Sequence, residues 1–395
     1  MTTESTEEQA ADAAGEGELE PEDTGDDAGP SKPWDPSQIR VNTKTFSLRQ
    51  IVDEIGDGTI DLAPDFQRGY VWKELQKTRL VESILLGIPL PAFYFNASRD
   101  NSYQVIDGVQ RLTTARDFAA GKFALSEHLE YLKQELEGKD FAQLDAPLKR
   151  RFQQTQLVVH VIEATSPSRL KFDIFKRINT GGSPLTSQEI RHCMGRRRSR
   201  ALLERLASLP SFLQATRLTP ASTKRMADRE LALRFVAFRR LLAEGADGYA
   251  RYAKVDTLDG FLLEANEALD DPAKTTDAQL EALAADFDRA MKSALAIFGK
   301  NAFRKWPLHA VATGPFNRPL FESWAAVLAT VKEDVVAKYG AEIGREARKE
   351  MTHNRPYIDA LSLGTGKVEQ VRRRFDTAAK VIETAVKAAE GRANP

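Results

Sequence analysis

The sequence predicts a protein of the α+β class, in which an N-terminal α/β domain is followed by an all-helical domain. Up to about residue 185, short strand-like runs alternate with amphipathic helical stretches. From there onward the apolar residues keep a helical period and no convincing strand is found. We therefore expect an acidic tail over residues 1–40, an α/β domain over 41–190 and a helical domain over 191–395.

The N-terminal tail is predicted to be disordered. Residues 1–30 contain 11 Asp and Glu, no Lys or Arg, and almost nothing apolar to bury. The remaining 46 acidic and 56 basic residues give the body of the chain a charge of about +10, although the net charge of the whole chain is −1. Such a body attracts phosphates, and the tail either shields it or serves only solubility.

Composition argues against several classes of protein. No run approaches the roughly 20 apolar residues that cross a bilayer, and the N-terminus resembles no signal peptide, so we expect a cytoplasmic protein without membrane contact. The single cysteine, Cys193, excludes an internal disulfide. Because the one cysteine and the five scattered His residues give no zinc-binding spacing, no structural metal is expected.

The first elements of the α/β domain alternate between helix and strand. SLRQIVDEIGDG places apolar residues on one helix face and should end at Gly56, and TIDLA follows as a short strand. KELQKTRLVESILLGIPLP reads as a second helix that Gly87 and Pro89 close. AFYFNA and SYQVID then read as two strands on either side of a turn.

The later elements follow the same signals. A helix should run from Gly108 to about Ala120, and QLVVHVIEA, residues 156–164, is the most pronounced strand pattern. SPSRLKFDIFKRI reads as a helix. LTSQEIRHC begins the next helix with Thr186 and Glu189 at the spacing of a capping box.

The segment VIDGVQR places a positive charge at the start of a helix. A cation in the first turn opposes the helix dipole and is unfavourable by roughly 0.3–1 kcal/mol, so Arg111 requires a nearby anion. Asp107 and Gln110 have the spacing of helix caps, and Gly108 permits close approach to the backbone. Either a phosphate at the helix N-terminus or an internal Asp–Arg salt bridge would satisfy Arg111.

Two further polar loops belong to the same domain. PDFQRGYVW, residues 64–72, contains Arg68, which can pair with phosphate, and aromatic side chains that either stack on a base or anchor the loop. FKRINTGGSPLTSQEIR, residues 175–191, places Asn179 and the glycine pair that begins with Gly181 between two helices. These glycines either permit a close backbone contact or end a helix.

A row of arginines opens the helical domain in HCMGRRRSRALLERL. Clusters of this kind neutralise DNA phosphates, but they also form ordinary solvated helix faces. The candidate DNA-binding residues are Arg196, Arg197, Arg198 and Arg200.

Four of these stretches together resemble a known family. In order and spacing, PDFQRGYVW, LLGIPLPAFYF, VIDGVQRLTT and FKRINTGGSPLTSQEIR resemble the N-terminal domain of the GmrSD-type modification-dependent restriction endonucleases. The resemblance covers residues 45–195 and implies a fold like that of the ParB and sulfiredoxin domains. It also implies that a DGQQR motif binds nucleotide and, in characterised relatives, that NTP hydrolysis regulates DNA cleavage.

The resemblance assigns roles to individual residues. It implies that Asp107 and Gln110 act in catalysis by orienting the loop or a water bound to Mg²⁺. The residues that it implies for nucleotide binding are Arg68, Gly108, Arg111, Asn179 and Gly181. Val109 replaces the usual Gln and can neither bond a phosphate nor activate water, so weak NTPase activity is expected.

These features together predict a nucleotide-binding regulatory subunit of a modification-dependent restriction or anti-phage defence system. The sequence shows no nuclease motif such as DHxxP, so a separately encoded HNH-type nuclease is the expected partner, beside NTP and DNA. Two alternatives remain open. One is a DNA-binding module without nucleotide chemistry, and the other is a nuclease whose divalent metal is held by Asp107 and other carboxylates.

Overall fold

The computed structural model divides the chain into two compact units. It describes residues 18–25, 40–62, 72–98, 102–178, 185–255 and 257–393. One unit contains the described residues from 40 to 194, and the other contains residues 18–25 together with those from 195 onward. The first unit holds a sheet and the second is helical, so the α+β class predicted from the sequence is confirmed.

The sheet of the first unit has five strands. In chain order they are β1 (Val41–Ser47), β2 (Ile60–Asp61), β3 (Phe93–Ala97), β4 (Tyr103–Asp107) and β5 (Gln156–Ile162). Their spatial order is β1-β5-β3-β4-β2. β1 pairs with β5 and β3 with β4 in antiparallel fashion, whereas β3 with β5 and β2 with β4 are parallel. β4 is therefore an inner strand, between β3 and β2.

Helices cover both faces of this sheet. The described helices of the unit are α1 (Leu48–Gly56), α2 (Glu74–Leu86), α3 (Val109–Ala119), α4 (Lys133–Leu136), α5 (Ala146–Gln154), α6 (Ser168–Ile178) and α7 (Ser187–Met194). Phe93 and Phe95 of β3 lie in one apolar core with α1, α2, α3 and α5. Because side chains alternate along a strand, Asn96 faces the other side, where Lys171 of α6 donates a hydrogen bond to it at 3.0 Å.

Several helix ends follow the signals in the sequence. The Ser47 side chain caps α1, which ends at Gly56. Gly87 ends α2 in the left-handed conformation, with a φ of 78°. At the start of α7 the predicted capping box is present, since Glu189 N–H donates to the Thr186 hydroxyl at 3.1 Å and Thr186 N–H donates to the Glu189 carboxylate at 2.6 Å.

The second unit is built from helices. Its described helices are α8 (Arg197–Ala207), α9 (Pro210–Thr216), α10 (Pro220–Lys224), α11 (Ala227–Glu244), α12 (Ala246–Tyr252), α13 (Leu258–Asp270), α14 (Asp277–Phe298), α15 (Arg318–Leu328), α16 (Glu333–His353), α17 (Arg355–Ala360) and α18 (Val368–Ala393). Its described β-structure is limited to single bridges from Phe316 to Leu19 and Arg304. None of the helices in the described ranges is long and apolar enough to cross a membrane.

Residues 18–25 pack against the helical unit, so the prediction of disorder is wrong for this part of the tail. Leu19 packs against the apolar core, and the Glu22 side chain is only 8 % exposed because it pairs with Arg234 of α11. The two partners are 212 residues apart in the chain. Composition does not reveal partners that are so distant in the chain. For this reason the acidic tail was predicted to be disordered.

We expect deletion of residues 1–32 to destabilise the helical unit. The deletion removes two charge-assisted hydrogen bonds between Glu22 and Arg234 together with the contact of Leu19. The expected loss is about 2–3 kcal/mol of unfolding free energy and roughly 5–10 °C in melting temperature, which circular dichroism can follow. Deletion of residues 1–17 leaves the docked segment in place and is the matched control. Equal melting temperatures for the two truncated chains would contradict a stabilising role of residues 18–25.

Candidate functional site

The DGVQR segment lies where β4 ends and α3 begins. β4 ends at Asp107, and Gly108 follows with a φ of 102°, in the left-handed region. A Cβ atom at position 108 would lie 2.2 Å from the ring of Phe93. Glycine is therefore required here both by the backbone conformation and by the close packing on Phe93.

Arg111 lies in the first turn of α3 and folds back over the strand ends. Its guanidinium lies 4.1 Å from the centre of the Phe93 ring. One terminal nitrogen donates to the Asp107 carboxylate at 2.9 Å and to the Ala92 carbonyl at 3.3 Å, and the other donates to the Pro91 carbonyl. Only 13 % of the Arg111 side chain remains exposed.

The anion that the first-turn cation requires is thus Asp107. Of the two possibilities that the sequence left open, the internal ion pair is the one present in the structure. Burial lowers the pKa of Arg111 below its usual value, and the Asp107 carboxylate opposes that shift. Asp107 itself keeps 42 % of its side chain exposed, so a ligand can reach the carboxylate.

Neither Asp107 nor Gln110 caps α3, which corrects the cap interpretation of the motif. The N-cap position belongs to Gly108, which has no side chain, while Asp107 is still part of β4. The Gln110 side-chain oxygen accepts a hydrogen bond from the backbone N–H of Trp72 at 3.4 Å instead. Among the described residues, therefore, the helix begins without a capping side chain.

The bond from Trp72 joins the first polar loop to the motif. Trp72 is the last residue of the PDFQRGYVW stretch, and its side chain packs against the apolar core of the first unit. The rest of that stretch, with Arg68, lies outside the described residues. The described end of this loop is therefore anchored beside α3.

The third polar loop also leads to this part of the fold. Asn179 and Gly181 lie outside the described residues, so the structure does not test their assigned role. Helix α7 follows that loop closely in the chain and contacts β4. The described flanks of both outer loops thus meet the strand and helix that carry DGVQR.

The contacts of the PLPA stretch were missed by reasoning from the sequence. The carbonyls of Pro91 and Ala92 accept hydrogen bonds from Arg111, and the next residue, Phe93, lies beneath its guanidinium. The signal was present in the motif LLGIPLPAFYF, which contributed to the resemblance but received no role. Every residue has a backbone carbonyl, so the sequence does not show which carbonyls accept a hydrogen bond from Arg111.

Val109 points into the apolar core. Val109 is 6 % exposed and belongs to the same apolar cluster as Phe93 and Leu112. In this chain the position therefore contributes to packing, and an apolar side chain suits it for that reason.

The arginines at the start of α8 have different environments. Arg196 and Arg197 are exposed, whereas Arg200 is partly buried and has partners of its own. Arg198 donates to two backbone carbonyls and pairs with Asp277 at 2.6 Å, which leaves 20 % of its side chain exposed. Its guanidinium is thus engaged within the helical unit, and DNA binding by this row stays a prediction.

We expect Arg111→Ala to destabilise the first unit by about 2–4 kcal/mol. The substitution leaves Asp107 without its ion pair and removes the guanidinium that covers Phe93. Urea unfolding of the full chain, followed by circular dichroism, measures the effect. The matched control is Arg116→Ala on the same helix, because Arg116 pairs with its neighbour Asp117 nearer the surface and should cost at most about 1 kcal/mol. Equal losses for both variants would show that Arg111 has no special structural role.

A second substitution tests the orientation of Val109. Val109→Gln should cost about 1–3 kcal/mol of unfolding free energy, because it places an amide in an apolar core. Val109→Ile, which stays apolar, serves as the control and should cost less than Val109→Gln. The same urea experiment compares the two variants. Unchanged stability of Val109→Gln would mean that the longer side chain escapes to the surface, where it could contact a ligand.

Comparison with known families identifies one region of the chain. Residues 48–194 match the model of the GmrSD restriction endonuclease, N-terminal domain. No curated protein and no solved structure matches the chain. The matched range contains β4, α3 and every described residue around Arg111, and it ends where the first unit ends. Over residues 48–194 the chain is therefore similar to the N-terminal domain of the GmrSD restriction endonucleases.

Proposed function

We propose that the first unit binds a nucleoside triphosphate and regulates a restriction or anti-phage defence system. The observation that carries the proposal is the junction of β4 and α3, where a helix begins after a left-handed glycine, beside the exposed carboxylate of Asp107. In the described part of the chain, no side chain caps this helix. The family match supports it independently, since the matched domain is that of a restriction endonuclease.

The chemistry of this junction suits a phosphate group and its cation. The N-terminal end of a helix carries a partial positive charge that favours an anion, and none of the described side chains caps α3 and competes for that place. A carboxylate such as Asp107 is a ligand that Mg²⁺ accepts together with phosphate oxygens. In the proposed complex Asp107 thus holds the metal, and Arg68, Asn179 and Gly181 approach the phosphates from the outer loops.

Arg111 has a positioning role in this proposal. Both of its terminal nitrogens already bond protein oxygens, so its main contribution is to hold Asp107 against the strand ends. Gln110 is the remaining polar side chain of the motif, and it is tied to Trp72. Hydrolysis is proposed to be slow, because Val109 offers no polar atom to the attacking water.

The proposed partners are DNA and a nuclease encoded separately. Nucleotide occupancy of the first unit would set the state of the helical unit, which would pass the signal to the nuclease. Arg196 and Arg197 are the exposed candidates for contact with DNA phosphates. NTP-dependent regulation, and not cleavage by this chain, is the activity that the proposal assigns.

Titration with ATP, GTP, CTP and UTP in the presence of Mg²⁺ tests the proposal on the full chain. We expect one of them at a hundredfold excess over its Kd to stabilise the first unit by about 2.7 kcal/mol, which thermal unfolding detects. Asp107→Asn should remove the Mg²⁺-dependent part of the affinity, and Arg68→Ala should weaken binding. Arg116→Ala should bind like the wild type. If none of the four nucleotides binds, as measured by calorimetry, the proposal is wrong.

A further inference from the structure

The N-terminal segment, residues 18–25, adds to the helical unit as an extended peptide does. Glu20 N–H donates to the Phe316 carbonyl at 2.9 Å, and Phe316 N–H donates to the Glu18 carbonyl at 2.8 Å. The Arg318 guanidinium donates to the Glu20 carbonyl at 3.2 Å. Main-chain pairing of this kind is the usual basis of binding when a peptide strand adds to a folded domain.

The other end of the segment is held by the turn before α18. Thr365 N–H donates to the Asp23 carbonyl at 2.8 Å, and Gly366 N–H donates to the Thr24 carbonyl at 3.0 Å. A Cβ atom at position 366 would lie 2.8 Å from that Thr24 oxygen. Glycine at this position therefore leaves the space that the backbone of the segment occupies.

Two carboxylates of the segment reach basic side chains of the helical unit. Glu22 accepts hydrogen bonds from Arg234 at 2.8 and 3.1 Å. Glu20 pairs with Lys305 and accepts a hydrogen bond from the Asn317 amide at 3.0 Å. Burial opposes ionisation of Glu22, but the charge and hydrogen bonds of Arg234 outweigh it and lower the pKa of Glu22 below its usual value.

The segment adds two paired carboxylates to a part of the helical unit that is rich in cations. Arg234 also pairs with two carboxylates of the helical unit, and each of these contacts a second arginine. Apart from the segment, these ion pairs join three arginines to two carboxylates, namely Arg234, Arg318 and Arg374 with Glu230 and Glu322. Lys305, whose ion pair is with Glu20 of the segment, is a fourth cation. Glu20 and Glu22 supply two further negative charges. We name this cation-rich surface the acidic-peptide groove.

We propose that the acidic-peptide groove is a docking site for an acidic, extended segment of a partner protein, and that residues 18–25 are its resident occupant, which the partner segment displaces. The groove contacts three features of the segment. These are its backbone N–H and C=O groups, the apolar side chain of Leu19, and two carboxylates that are two positions apart in the sequence. A nucleic acid offers phosphates but no peptide backbone, so it fits the charges without fitting the main-chain bonds.

Exchange is feasible because the resident segment is short and polar. A pair of buried ions gains little net free energy over its desolvation, so these contacts give specificity more than strength. The covalent link nevertheless favours the resident segment, because its rebinding is intramolecular and does not depend on the concentration of a partner. A partner therefore has to match the same chemistry closely or present several contacts at once.

Peptide binding to the full chain tests the proposal. The probe is a fluorescein-labelled peptide with the sequence of residues 18–25, ELEPEDTG, and fluorescence anisotropy gives its Kd. A full chain with Glu20→Gln and Glu22→Gln should bind the peptide, whereas the wild type should bind it on the order of 100-fold more weakly, because its own segment competes. A peptide with both Glu replaced by Gln should bind neither protein.

Two further variants serve as controls for the peptide-binding experiment. Glu18→Gln changes an exposed side chain of the same segment and should behave like the wild type. Glu20→Gln alone retains the pair of Glu22 with Arg234 and serves if the double variant fails to fold, which circular dichroism reveals. A folded variant that binds no peptide overturns the proposal. Displacement by duplex DNA but not by peptide, or dimerisation of the wild type through this segment, would assign the groove to another occupant and overturn it as well.

Discussion

The ion pair between Arg111 and Asp107 is the contact on which the candidate site depends. One guanidinium group bonds the end of β4 through Asp107, the stretch before β3 through the carbonyls of Pro91 and Ala92, and the ring of Phe93 through its face. Burying a guanidinium is costly unless its charge and its N–H groups are satisfied. The surroundings of Arg111 meet both conditions, so the strand end, the left-handed glycine and the start of α3 hold one another in place.

This arrangement limits what a ligand can do at the junction. A phosphate that bound Arg111 directly would have to compete with Asp107 for a nitrogen that is already engaged and largely buried. The side of Asp107 that faces solvent presents the opposite charge and suits a cation. For the nucleotide complex that we propose, a metal-bound phosphate is therefore expected in place of a free one, since the metal would neutralise the repulsion between phosphate and carboxylate.

Local signals in the sequence predicted much of the fold, and contacts between distant residues account for what they missed. Gly56, Gly87 and the pair of Thr186 with Glu189 end or begin helices as expected, because a cap depends on neighbours within a few residues. Asp107 does not cap α3, because it still belongs to β4 and the N-cap position is Gly108. Gln110 does not cap α3 either, because its side chain accepts a hydrogen bond from Trp72, which lies 38 residues earlier in the chain. The tail was misjudged for the same reason, since the partner of Glu22 lies in α11.

Both units thus use a largely buried arginine to join separate segments, but the consequences differ. The partners of Arg111 described above lie within 20 residues of it, whereas Glu22 lies 212 residues from Arg234. Around Arg111 the ion pair is supported by the aromatic core beneath it, so the junction cannot open without exposing Phe93. Around Arg234 two carboxylates remain within the helical unit when Glu22 leaves, so the loss is partly compensated. An arginine with several acidic partners can release one of them at moderate cost, whereas an arginine with a single carboxylate cannot. The N-terminal segment can therefore exchange while the rest of the helical unit stays folded, and the junction at Arg111 is the more rigid of the two.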